Sequence, residues 1–281
     1  MRTRMPAEHV RNRLAATAAV LVAALAFLGG PEAARAEDAG AGDLGTDRDA
    51  FTPNTHTIKP GTVLWEGSYV FIDNQTGLPT NNYPELLLRV GGTDWFEWRF
   101  GVNYGVGSQG SVVTSVEVGE GSLSGGTLYE SSVLYGFKVD VSDQQGWLPE
   151  SCFIMEASTP TYGDLFGSVP VATGVWGWEL PGRCRLDAAV RYAYSEGLLT
   201  WFNRWSPSVV LRIPFTERWE THVEYFGNFT QGNVVDTNPQ FFSPGTHFLL
   251  TKRFEIGLRV GWGMNDAAAP FFSDAGFGWR W

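Results

Sequence analysis

Nowhere does the sequence hold 18 apolar residues in a row. The longest such stretch, LAATAAVLVAALAFL at residues 14–28, falls short of the ~20 residues that a membrane-crossing helix needs. No segment therefore qualifies as a membrane-spanning helix. Cysteine is nearly absent, with only Cys152 and Cys184, so at most one disulfide is possible. Positive charge is also short: 20 Lys and Arg stand against 30 Asp and Glu, a net charge of −10. That balance argues against nucleic-acid binding, which asks for a basic surface.

The apolar stretch follows the arginine-rich MRTRMPAEHVRNR and precedes a small-x-small site at Ala34-Arg35-Ala36. This is the layout of a secretory signal peptide over residues 1–36, cleaved after Ala36; a short membrane anchor is the alternative. Removing its five Arg and two Glu leaves 15 basic and 28 acidic residues, or −13. Residues 37–61 are polar and turn-rich and read as an extended periplasmic segment. Residues 62–281 remain for the main domain.

That domain is rich in aromatics and glycine, and charges recur inside its apolar segments. In FEWRFGVNY (96–104), Phe96, Trp98, Phe100, Val102 and Tyr104 alternate with Glu97, Arg99, Gly101 and Asn103. Period-2 alternation is the mark of a strand. Here one face is nearly all large aromatics and the other carries opposite charges, which suits a wall between lipid and water. About twelve such strands are expected, near 63–71, 85–91, 96–104, 132–141, 147–159, 169–180, 185–194, 208–215, 219–229, 240–251, 254–262 and 270–281. The connections tend to alternate between short turns and longer loops, as in outer-membrane barrels. Trp65, Trp95, Trp147, Trp219, Trp279 and Trp281 fall near one set of strand ends, and Trp201 and Trp262 near the other. Indole prefers the membrane–water boundary, so two aromatic girdles are expected. The fold class is thus all-β: a transmembrane antiparallel up-and-down β-barrel in a bacterial outer membrane. Cys152 and Cys184 then lie two strands apart on opposite faces, which favours free thiols over a disulfide.

The chain stops on FGWRW, with Phe277, Trp279 and Trp281 on one face. A barrel can leave no strand edge open in lipid, so this strand must pair with the first. The ending resembles the closure signal that outer-membrane assembly machinery reads.

The inward face is expected to carry Glu66, Arg89, Glu97, Arg99, Lys138, Glu156, Arg185, Asp187, Arg191, Arg212, Glu224 and Arg259. Charges in a membrane protein must face water or one another, so these either line a solute path or fill a closed, salt-bridged lumen. Asp47, Arg48 and Asp49 could fold inside as a small plug or belong to a flexible tail. His222 and His247, with Glu220 and Glu224 beside them, could make a metal site or a general base; a lumen hydrogen-bond network is the preferred reading. GVGSQG (105–110) fits GxGxxG but opens no helix, so it reads as an external loop and not a dinucleotide site.

TDRDAFTPNTHTIKPGTVLWEGSYVF (46–71) resembles the opening of the outer-membrane barrels grouped as the putative MetA-pathway of phenol degradation family. The matching positions are Thr46-Asp47-Arg48, Phe51-Thr52, Lys59-Pro60-Gly61 and the inward Glu66. YPELLLRVGGTDWFEWRFGVNY (83–104) is similar to that family's second and third strands. Asp49 departs from it, since a proline is usual there, and residues 105–126 form a long insertion. The resemblance implies a transporter, with aromatic compounds as the suggested cargo. The expected function is therefore passage of small, hydrophobic or aromatic solutes across an outer membrane, with no cofactor and no metal. The expected partners are outer-membrane lipids, the assembly machinery and the solute. Two other classes stay open: a barrel enzyme acting on lipid or protein, with His222 as base, and a closed structural or adhesion barrel using loop 107–128.

Overall fold

A computed structural model describes residues 44–108, 112–114, 128–197 and 199–281. The expected signal peptide and its cleavage point lie outside the described residues, as does most of loop 107–128. The main domain is one antiparallel sheet of β1 Val63–Asp73, β2 Thr80–Thr93, β3 Phe96–Gly107, β4 Leu128–Ser142, β5 Glu150–Tyr162, β6 Val169–Glu179, β7 Arg185–Glu196, β8 Trp201–Pro214, β9 Trp219–Gly227, β10 Phe229–Gln231, β11 Gln240–Thr251, β12 Phe254–Gly263 and β13 Phe271–Arg280. Strands β9 and β10 occupy one place in the wall. Both pair with β8 in one unbroken register, Ser208 opposite Phe226 and Trp205 opposite Phe229. The result is a closed barrel of twelve strands.

Closure is made by the two ends of the sheet. Leu64 pairs with Arg280, Trp65 with Trp279 and Gly67 with Phe277. The Trp281 amide donates to Val63 O at 2.9 Å, so the last residue is held by the first strand. Backbone groups in hydrocarbon have no water to bond to, and this pairing leaves no edge.

The wall is inverted relative to a protein dissolved in water. Trp98 and Phe100 are 49% and 40% exposed, whereas Arg89, Glu97 and Lys138 are 0% exposed. Trp98, Tyr135, Trp205, Trp262 and Trp279 point outward along β3, β4, β8, β12 and β13, while most charges, with Phe202 and Phe272, point inward. Charged residues are almost never buried in water-soluble proteins unless paired; an apolar surround reverses the preference.

Most strands run further than the alternation alone indicates. Strand β2 begins at Thr80, although 73–83 read as a loop. Its pairing shifts between Asn82 and Glu85, across Tyr83-Pro84, and that shift breaks the period-2 pattern. Strand β8 begins at Trp201, and Phe229–Gln231, read partly as loop, belongs to the wall. Cys152 is buried, Cys184 is partly exposed, and both are free thiols.

Candidate functional site

The lumen holds polypeptide. Residues 44–58 run inside the ring of strands, and wall carboxylates accept hydrogen bonds from their backbone. Glu66 accepts from the Asp47 and Arg48 amides at 2.8 and 3.0 Å. Glu224 accepts from the Phe51 and Thr52 amides at 2.9 and 2.7 Å, and Glu97 from the Ile58 amide at 2.9 Å. Irregular backbone buried from water needs such partners. Room for the segment comes from wall glycines: a Cβ on Gly91 would sit 2.0 Å from Lys59 O, and one on Gly278 would sit 2.6 Å from Thr46 Cγ2.

Asp47 is the electrostatic centre of the segment. Its Oδ2 lies 2.5 Å from Arg99 Nη1, 3.3 Å from Lys138 Nζ and 3.6 Å from Arg89 Nη1. Burial alone would raise this carboxyl; Arg89, Lys138 and Arg99 outweigh it and hold the group well below the usual carboxylate range. The wall pairs continue outward from it, Arg89 Nε to Glu97 at 2.7 Å and Arg99 Nε to Glu156 at 2.7 Å. Arg48 reaches Glu85 at 2.9 Å; burial opposes its charge, but Glu85 and Asp274 raise its already high pKa further. Asp49 faces Arg212 at 3.7 Å and His247 at 3.4 Å. Arg212 also bonds Asp187.

The apolar side of the segment is Phe51. It stacks on Phe226 with centroids 4.4 Å apart and joins Val70, Ile72, Phe241 and Phe272. Val112 and Val113 belong to the same cluster, so part of the long loop reading as external turns inward. Arg259 Nη2 donates to Val113 O at 3.0 Å and Asn228 Nδ2 to Val112 O at 2.8 Å. Thr114 Oγ1 donates to Glu85 Oε1 at 2.5 Å. Residues 105–107 of the GVGSQG stretch end β3, and the rest beyond Ser108 lies outside the described residues.

Glu66, Arg89, Glu97, Arg99 and Lys138 are thus gathered around Asp47, with Glu156 joined through Arg99. Glu224 and Arg259 meet at 3.4 Å on the other side of the lumen. Arg185 faces inward and bonds Glu150 and Asp187. Arg191 donates to Thr114 O at 3.4 Å. The sequence reading missed Glu85 and Asp274. Asp274 had a legible signal: it lies opposite Arg259 in the β12–β13 register and bonds it at 3.1 Å. Glu85 had one as well: within 85–91 it shares the parity of the inward Arg89, and both are buried.

No family model matches the chain, and no curated protein matches it. Solved structures match its fold. The COG4313 outer membrane channel from Pseudomonas putida F1 aligns at a TM-score of 0.57 and 9% identity, covering 81% of this chain and 98% of that one. The NanC porin aligns at 0.52 and 8% identity, covering 77% and 98%. The translocator domain of the autotransporter NalP from Neisseria meningitidis aligns at 0.50 and 9% identity, covering 78% and 88%. The chain therefore has the fold of outer-membrane β-barrels.

Proposed function

We propose that this protein is an outer-membrane channel or transporter for small solutes, hydrophobic and aromatic ones among them. One observation carries the reading. Two pieces of chain, residues 44–58 and 112–114, occupy the lumen beside the wall side chains. A wall that only needed filling would use its own side chains, as small barrels do. A lumen wide enough to admit backbone is wide enough for a solute once that backbone moves. The inward charges would then line the path, with Arg99 and Arg191 as selectivity determinants.

The resemblance of residues 46–71 to the MetA-pathway barrels supports the transporter class and its aromatic cargo. The channel and porin among the fold neighbours support it as well. The enzyme reading would use His222 as base, but neither ring nitrogen has a hydrogen-bond partner among the described residues. Reconstituted vesicles test the proposal. The barrel should speed equilibration of a small aromatic solute over empty vesicles, and charge reversal at Arg99 or Arg191 should alter its preference between anionic and cationic solutes. Equal rates with and without a verified folded barrel would count against transport.

A further inference from the structure

We propose that Asp49, His222 and His247 form a site for a divalent transition-metal ion that fastens the inner segment to the barrel wall. This goes beyond the transport reading, because the site joins two parts of the chain whatever passes through it. Asp49 belongs to the segment before β1, His222 to β9 and His247 to β11. One donor atom from each lies within 4.8 Å of the others. Asp49 Oδ2 and His247 Nδ1 are 3.4 Å apart. Zinc bonds of ~2.0–2.1 Å in a tetrahedron set ligand–ligand edges of about 3.3–3.4 Å, so this pair already has the spacing.

A second, independent observation is the state of His222. It is 2% exposed, and neither ring nitrogen has a hydrogen-bond partner among the described residues. Native proteins rarely leave such a group without a partner. The ring also has a place made for it. Gly245 stands opposite His222 in the β9–β11 register, and a Cβ there would lie 2.3 Å from the ring's Cε1 and Nε2.

The surroundings fit a cation. Glu220 Oε1 lies 3.2 Å from His247 Nε2, so His247 can ligate through Nδ1 while Nε2–H donates to the carboxylate. That arrangement fixes tautomer and ring direction in many metal sites. The nearby positive groups are already matched: Arg212 bonds Asp187, and Arg259 bonds Glu224 and Asp274. Two neutral imidazoles with Asp49 and Glu220 balance a divalent charge. A cavity of about 130 Å³, whose charged lining is Arg183, Arg218, Glu217, Glu220 and Glu255 beside His247, opens at the short-turn end and gives a way in. Two histidines and a carboxylate suit zinc and its neighbours in the transition series over calcium or magnesium.

The test uses the tag-free, membrane-processed barrel in detergent, stripped with a chelator, in a Cys184→Ser background to remove an exposed thiol. Folding of every variant is checked by heat-shifted gel mobility. Titration with Zn²⁺ should show one equivalent bound, and Co²⁺ should give the visible bands of a low-coordinate nitrogen–oxygen site. Glu220→Gln should weaken binding by about 10–100-fold, and Asp49→Asn and His222→Ala by more. Asp49 lies outside the wall, so its variant tests the site even if His222→Ala does not fold. Zn²⁺ should also slow proteolysis within residues 44–58, and Asp49→Asn should abolish that difference. No binding to the folded barrel, or stoichiometric binding that survives Asp49→Asn, would overturn the proposal.

Discussion

Arg99 Nη1 lies 2.5 Å from Asp47 Oδ2. This contact joins the middle of a wall strand to the segment that precedes the first strand. Both side chains are almost fully buried. Removing one member of such a pair leaves a buried charge uncompensated, at a cost of about 3–5 kcal/mol. Asp47→Ala is therefore expected to undock residues 44–58 while the wall stays closed. Limited proteolysis should show faster cleavage there, with gel mobility of the folded barrel unchanged.

The same carboxyl sets an acid response. Its pKa is depressed in the folded state, so its contribution is present above the unfolded value of about 3.9 and is lost as pH falls through the lower folded value. The part of docking that Asp47 supplies should hold from neutral pH to about pH 4 and be lost only in stronger acid. An acid-active protease, applied across that range, would report it, and Asp47→Asn should remove the dependence. Loosening already at pH 6 would show that another group governs docking.

Phe51 supplies the apolar half of the docking. It is 2% exposed and stacked on Phe226 within 5° of parallel. Phe51→Ala should weaken docking by about 3–5 kcal/mol, the usual range for a buried phenylalanine. Amide hydrogen exchange of residues 47–54 would measure the loss. Phe51→Leu should restore part of it.

Arg259 holds the second piece of chain. It donates to Val113 O and bonds Glu224 and Asp274. Arg259→Ala should free residues 112–114 and lower barrel stability by about 3–5 kcal/mol, since two carboxylates lose their partner. Denaturant titration gives the stability. A spin label at position 113 should gain mobility in the variant.

The closing strand depends on its last residues. Trp281 bonds Val63 through the backbone, and Trp279 lies opposite Trp65. Deleting Trp279–Trp281 removes that pairing and the expected assembly signal. The assembled fraction in outer membranes should fall, with unassembled chain accumulating; an unchanged yield would show that closure is specified elsewhere.

The wall was legible because lipid and lumen demand opposite residue types at alternate positions. Phe96 to Tyr104 states this in nine residues, and the inward charges named from that parity all face the interior. The filling was not legible. Val112–Thr114 sit in a loop with no period, and nothing local marks them as inward; partners distant in sequence, Arg259, Asn228, Glu85 and Arg191 among them, fix their place. Asp47, Arg48 and Asp49 could be named as a plug or a flexible tail, but their docking depends on partners from six strands, β1 to β4, β8 and β11. The start of β2 was lost to the shift at Tyr83-Pro84, which reverses the parity that alternation relies on. His222 and His247 were paired in the sequence, whereas Asp49, the third member of their group, comes from a segment without periodicity.

The most direct measurement compares planar-bilayer conductance of the mature barrel with and without residues 44–58, folding verified for each. If the segment closes a solute path, the intact barrel should give small or rare steps, and its deletion should give larger, sustained ones. Folded barrels that conduct no more after the deletion would contradict the account.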